Sequence, residues 1–166
     1  MGKVVRYIII ASLSAFFLCG IPECLRTGEY PAMLVHPFFH ANVAHLALNC
    51  LAVWTVFDPK TTPEWWYVPV GYIVAVTAYC ILDSPIVGFS TVLFAVAGFR
   101  TPSFRSAWWR SWNCRVYIGT MLLMFLLPMF AASAHLLCFA AGVLVASCVR
   151  FKRKLDYDTR RAKGGK

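Results

Sequence analysis

The sequence predicts an all-α integral membrane protein, a bundle of six transmembrane helices. Three observations lead to this prediction. The chain of 166 residues is 60% hydrophobic and only 14% charged, its mean hydropathy is positive, and its basic residues fall between long apolar runs. A water-soluble domain usually carries more charge than this. The formal net charge of +9 lies in the connections and not on one face, which argues against a nucleic-acid partner.

Six apolar segments follow one another along the chain. Most of them approach the ~20 residues that cross ~30 Å of hydrocarbon, and the fourth is clearly short. The predicted spans are residues 4–21, 40–57, 65–82, 90–99, 116–130 and 135–149. They divide the chain into a membrane domain over residues 1–150 and a basic tail over residues 151–166.

Charge assigns the two sides of the membrane. If the six spans alternate, nearly all basic residues fall on one side. They are Lys3, Arg6, Lys60, Arg100, Arg105, Arg110, Arg115, Arg150 and the clusters 152–154 and 160–161. The other side holds Arg26 against Glu23, Glu29 and Asp83. Because basic connections stay in the cytoplasm, both termini are predicted to be cytoplasmic. The basic tail can contact anionic membrane lipids. A short chain with six spans and no added domain suits a bacterial inner (plasma) membrane.

Polar side chains collect at the starts of the three spans that begin on the outer side. These starts hold His40, His45 and Asn49 in the second span, Gly88-Phe89-Ser90 in the fourth, and His135 in the sixth. A helix that begins near Asn42, a good N-cap residue, places His45 and Asn49 on one face. Polar groups and irregular backbone at membrane depth are tolerated where they line a wet cavity. The three starts are therefore predicted to converge on one cavity.

Two stripes of small residues predict that the fourth and sixth helices touch. The stripes are Thr91, Ala95 and Gly98 after Ser90, and Cys138, Gly142 and Ala146 after His135. Small residues at helical spacing let transmembrane helices approach closely. Such an approach would bring Ser90 beside His135.

Ser90 and His135 fit the roles of a catalytic dyad. A serine hydroxyl becomes a nucleophile when a neutral imidazole takes its proton. His45, Asn49 and the Ser90 backbone N–H can donate hydrogen bonds to a developing oxyanion. The alternatives are a helix cap for the serine and a solvated imidazole at the membrane interface for the histidine.

No acidic residue that would extend the dyad to a catalytic triad is evident. Asp58 and Glu64 are predicted on the opposite side of the membrane, and Asp83 lies in the outer loop. A Ser-His pair is therefore the simpler assignment.

The histidines also permit a metal site or a polar transport cavity. His36, His40 and His45, spaced by four and five residues and leading to Asn49, form a weak ligand set because no carboxylate or paired cysteine is near. The seven cysteines contain no CxxC pair. We predict no metal and no cofactor. The lack of other charged residues at mid-membrane disfavours a transporter.

In combination, these residues resemble the rhomboid family of intramembrane serine proteases. The resemblance is carried by His40, His45 and Asn49 with Trp54 after them, by Gly88-Phe89-Ser90 at the start of a later helix, and by His135 at the start of the last. Further matches are His36, Phe94, Ala95, Gly98 and Gly142. The resemblance covers the six-helix core from about Val4 to Val149. It implies a six-transmembrane-helix rhomboid-like bundle of the compact bacterial type.

The resemblance also implies roles for single residues. Ser90 resembles the nucleophile, His135 the general base, His45 and Asn49 the oxyanion donors, His40 and Gly88 accessory residues of the site, and Phe94 the aromatic ring under the catalytic imidazole. The family's activity is intramembrane serine endopeptidase chemistry on transmembrane protein substrates near the outer membrane face. The alternative is a catalytically weak or inactive rhomboid-like protein that binds transmembrane clients.

The sequence departs from the family pattern in three places. Thr91 and Cys138 replace glycines, and both add volume where the two helices meet, so we expect a slightly larger separation or a lower rate. The segment Pro22 to Val35 is shorter than the family's first outer loop and lacks its Trp-Arg pair.

Overall fold

The computed structural model describes seven parts of the chain, and all of its regular secondary structure in these parts is helical. The described residues are 2–22, 25, 31–57, 66–82, 87–100, 112–126 and 132–164. The helices are α1 (Gly2–Leu18), α2 (Ala32–Val35), α3 (Val43–Val56), α4 (Tyr67–Leu82), α5 (Ser90–Arg100), α6 (Trp112–Leu126) and α7 (Ala132–Gly164). A 3-10 turn, His36–Phe38, follows α2. The all-α prediction is confirmed over this part of the chain.

Some residues used to predict topology lie outside the described ranges. They are Glu23, Arg26, Glu29, Asp58, Lys60, Glu64, Asp83, Arg105 and Arg110, together with positions 83–86 of the loop before α5.

The short helix α5 is the centre of the bundle. All 11 of its residues are buried, and it packs mainly against α7 and α4, with further contacts to α3. Because one residue adds 1.5 Å to a helix, α5 is only about 16 Å long. Its first residue, Ser90, is buried and lies inside the bundle.

Glycines allow α5 and α7 to pack backbone against backbone. A Cβ atom placed on Gly98 would lie 2.2 Å from the Phe139 carbonyl oxygen, and one placed on Gly142 would lie 2.2 Å from the Ala95 carbonyl oxygen. Cys138 is fully buried beside this contact. The two small-residue stripes thus face each other, as the sequence predicts.

The start of α3 is capped as its sequence predicts. Asn42 adopts an extended conformation, and its side-chain oxygen accepts the backbone N–H of His45 at 2.8 Å. An N-cap of this kind satisfies one of the amide groups that the first helical turn leaves without a partner. The cap fixes where α3 begins and which face carries His45.

A buried arginine ties α1 to the end of α3. Arg6 donates a hydrogen bond to the Phe57 carbonyl oxygen at 3.0 Å, and its guanidinium carbon lies 4.2 Å from the centre of the Trp54 ring. A cation at a helix C-terminus is favoured by the helix dipole, and the aromatic face adds a cation–π contact. This arginine therefore joins two helices at the end away from His45.

Helix α7 extends far beyond its predicted span. It continues through the basic tail to Gly164, because no proline or glycine interrupts the sequence from 143 to 163. Among the described residues, the segment Ala132–Arg161 is the one stretch long and apolar enough to cross a membrane by itself. Shorter apolar helices are Val4–Leu18, Val43–Val56, Tyr67–Leu82 and Ser90–Arg100.

Candidate active site

Ser90 and His135 meet at the buried ends of α5 and α7. The Ser90 hydroxyl oxygen and the His135 Nε2 atom are 2.8 Å apart, which is hydrogen-bonding distance. Both side chains are 1% exposed. The larger separation that we expected from Thr91 and Cys138 is not observed. The Thr91 side chain instead points back and donates to the Gly88 carbonyl oxygen at 3.4 Å.

The His135 ring is held from one side by an aromatic ring. Phe94, one turn after Ser90 on α5, stacks on it with 4.3 Å between ring centres and an angle of 6° between planes. A parallel stack leaves the imidazole little freedom to rotate away from Ser90. Helix α5 thus supplies both the Ser90 hydroxyl and the Phe94 ring that orients His135.

Gly88 packs directly on the ring of His45. Gly88 has a φ of 113°, and a Cβ atom at this position would lie 2.5 Å from the His45 Nε2 atom. A side chain is therefore excluded both by backbone conformation and by space. This contact places the His45 imidazole against the segment that leads into Ser90.

His40 and Asn49 both contact His45. The His40 ring is 2% exposed and meets the His45 ring edge-on, with 5.0 Å between centres. Asn49 is fully buried, and its amide nitrogen donates to the His45 carbonyl oxygen at 2.9 Å. Its Oδ1 atom has no hydrogen-bond partner in the described part of the chain. One N–H of the Asn49 amide remains for another acceptor.

His36 connects the segment between α2 and α3 to the residues just before α5. Its carbonyl oxygen accepts the Gly88 N–H at 2.9 Å, its ring stacks on Tyr79 at 4.7 Å, and its Nδ1 atom contacts the Met33 carbonyl oxygen at 2.8 Å. Burial lowers the pKa of His36 to about 4, against a smaller raising effect of the hydrogen bond to Met33. The ring is therefore neutral near pH 7, and its Nδ1–H can donate to that carbonyl.

The structure thus brings together sequence-predicted residues on α3, α5 and α7 and in the segments that lead into α3 and α5. Direct contacts join Ser90 to His135, His135 to Phe94, His45 to His40, His45 to Gly88, and Asn49 to the backbone of His45. Among the described residues, no three His, Cys, Asp or Glu side chains are grouped so that they could hold a metal ion.

Sequence reasoning missed the part played by Tyr79 and by the backbone of His36. The stack on Tyr79 joins α4 to a turn 43 residues earlier, and the Gly88 N–H bond is a main-chain contact. Neither leaves a periodic or compositional signal. The one available hint was an aromatic residue, Tyr79, near the C-terminal end of α4.

Substitution of Gly88 by alanine is expected to destabilise the protein and to displace His45. A non-glycine residue at positive φ costs about 1–3 kcal/mol, and the methyl group must also push the imidazole away. Thermal unfolding and a histidine NMR spectrum would measure the two effects. Gly20→Ala is the matched control, since Gly20 has a φ of 77° but no atom of the described residues within 4 Å of its Cβ position. If the two substitutions changed the unfolding temperature and the histidine spectrum equally, the contact of Gly88 with His45 would be contradicted.

Comparison with known families gives one match. The family model described as Rhomboid domain matches residues 27–152, a range that contains α2 to α6 and most of α7. Searches against curated proteins and against solved structures returned no match.

Proposed function

The chain belongs to the rhomboid family of intramembrane proteases, and from this premise we propose that it is an integral membrane serine endopeptidase with a Ser90-His135 dyad. The observation that carries the proposal is the 2.8 Å hydrogen bond between a buried serine hydroxyl and a buried imidazole. A hydroxyl so placed can give up its proton as it attacks a carbonyl carbon. The proposed substrates are transmembrane proteins, cut near the outer membrane face.

The reaction proceeds in two steps through an acyl-enzyme. The Ser90 oxygen attacks the scissile carbonyl carbon while the His135 Nε2 atom takes the hydroxyl proton and then gives it to the leaving amine. Water next attacks the ester carbon, His135 takes a proton from that water, and the Ser90 oxygen leaves with the proton restored. Each step returns the imidazole to its neutral form.

The oxyanion of each tetrahedral intermediate needs hydrogen-bond donors. The proposed donors are the side chains of His45 and Asn49 and the N–H of Ser90. Ser90 opens α5, and the first N–H groups of a helix have no partner within the helix. The contact of Gly88 with His45 and the second N–H of the Asn49 amide support these assignments.

Asn49→Ala is expected to lower the turnover number about 10²-fold to 10³-fold, the usual loss when one oxyanion donor is removed. Cleavage kinetics of a transmembrane substrate in vesicles would measure this loss. Thr55→Val is the matched control, because Thr55 is also buried in α3 and also donates to its own helix, to the Ala52 carbonyl oxygen at 3.0 Å. A similar loss of turnover in both variants would point to damage of α3 and against an oxyanion role.

The proposed location is the bacterial inner membrane, with both termini in the cytoplasm. The continuous helix α7 supports this orientation, since its apolar part is followed by an exposed basic part that begins at Arg150. A cluster of cations next to a span is retained on the cytoplasmic side. The first residues of α5 and α7 would then both lie toward the outer side.

One experiment tests the function directly. The purified protein is placed in vesicles with a model transmembrane substrate, and separately with a fluorophosphonate, which reacts with activated serines. The expected result is cleavage of the substrate and a single covalent label on Ser90. Capture of the substrate without cleavage, and with no label, would favour a client-binding protein of the same family.

A further inference from the structure

A cleft opens between α1 and α4, and its floor is formed by residues next to the candidate active site. Its volume is about 310 Å³. Of the residues that line it, Ile8 of α1 and Pro69 of α4 are exposed and form its rim. Leu13 and Phe89 are buried and lie deeper, with the half-buried Phe38. All of the surface that lines the cleft is apolar. We refer to it as the α1–α4 cleft.

We propose that the α1–α4 cleft binds one acyl chain of a bilayer phospholipid. The chain belongs to a family of membrane proteins, and Ile8 at the rim is 59% exposed, so the cleft opens where hydrocarbon surrounds the protein. An exposed apolar surface of this kind marks a membrane contact. The volume is at the low end of the ~300–1,000 Å³ found for small-molecule sites, which suits a single flexible chain.

The apolar lining selects a hydrocarbon over a peptide. A peptide segment would bring backbone N–H and C=O groups into a place with no partner for them, and such groups are costly in lipid. The Tyr72 hydroxyl donates its one proton to the Leu34 carbonyl oxygen at 2.6 Å, so it has none to give to a peptide carbonyl. An acyl chain has no polar group to satisfy, and its headgroup can remain outside the cleft.

An acyl chain in this cleft would touch the segment that positions the dyad. Phe89 stands between Gly88, which packs on His45, and Ser90. Phe38 belongs to the same 3-10 turn as His36, whose carbonyl holds the Gly88 N–H. The lipid would therefore fill the space behind both residues. Binding of a lipid in the cleft does not depend on the proposed protease activity.

Photo-cross-linking tests the proposal. The full-length protein is placed in nanodiscs of phosphatidylcholine that contain a phosphatidylcholine with a diazirine in mid-chain, and the labelled residues are mapped by mass spectrometry. The expected result is labelling of Phe38 and Phe89. Phe89 is only 4% exposed, so lipid that merely surrounds the bundle does not reach it.

Filling the cleft should remove this labelling. Ser12→Phe and, independently, Ile9→Trp place larger side chains in the lining and are expected to abolish the label on Phe89. Leu144→Trp is the control, because Leu144 is exposed on α7 away from the cleft, and it should leave the label unchanged. Circular dichroism and gel filtration would show that each variant is folded.

Three results would overturn the proposal. Labels confined to rim residues such as Ile8 would show that the cleft holds no chain. A label on Phe89 that persists in both filled variants would show another route to this residue. Labelling of Phe89 by a transmembrane peptide that carries the same diazirine, with none by the lipid, would make the cleft a peptide site.

Discussion

Ser90→Ala is expected to lower substrate cleavage by roughly 10³-fold or more, the scale of loss when a catalytic serine is removed. Alanine has no hydroxyl to form the acyl-enzyme, so fluorophosphonate labelling should disappear together with cleavage. The fold should survive, because alanine is smaller than serine and is a better helix former. Single-turnover cleavage in vesicles and in-gel fluorescence would measure the two losses.

Ser147→Ala provides the matched control for the loss of a hydroxyl. Ser147 is exposed on α7, and its hydroxyl donates to the Val143 carbonyl oxygen at 2.8 Å. Its removal should leave both cleavage and labelling at the wild-type level. Equal cleavage in wild type and Ser90→Ala would exclude the proposed nucleophile. Equal capture of substrate without cleavage in both would identify a client-binding protein.

Local patterns predicted much of this fold. The N-cap at Asn42 and the common face of His45 and Asn49 follow from helix geometry within a few residues. The contact of α5 with α7 follows from the glycines at positions 98 and 142, because missing side chains are visible in a sequence. The rhomboid family and the all-α membrane bundle are confirmed.

Other features depend on main-chain contacts between distant segments, and no residue type encodes those. The bond from the Gly88 N–H to the His36 carbonyl oxygen is one example. The added volume of Thr91 and Cys138 predicts either a wider helix contact or a lower rate. The Ser90–His135 bond of 2.8 Å shows no wider contact at the dyad; the backbones of the two helices meet closely at Gly98 and Gly142, one to two turns further along. The lower rate stays a prediction.

Gly142→Ala is expected to destabilise the bundle strongly, because the added methyl group has no room between α5 and α7. The new Cβ would lie 2.2 Å from the Ala95 carbonyl oxygen and 3.1 Å from the Gly98 Cα atom. These are backbone atoms, so the helices themselves must separate. Overpacking of this kind costs about 1–3 kcal/mol or more. Because a shift of 1 Å can lower a rate about 10²-fold, cleavage should fall as α7 carries His135 away from Ser90.

Gly119→Ala makes the same chemical change, but we expect it to raise the stability of the protein. Gly119 lies in α6, and no atom of the part of the chain that the structure describes is within 4 Å of its Cβ position, so alanine should stabilise the helix by up to about 1 kcal/mol. Thermal unfolding of both variants in the same detergent, beside fluorophosphonate labelling, would compare them. A stabilised and fully reactive Gly142→Ala variant would contradict the close contact of α5 with α7. Opposite changes in stability, with labelling lost only in Gly142→Ala, would show that this contact, and not helix propensity, keeps the serine and the histidine together.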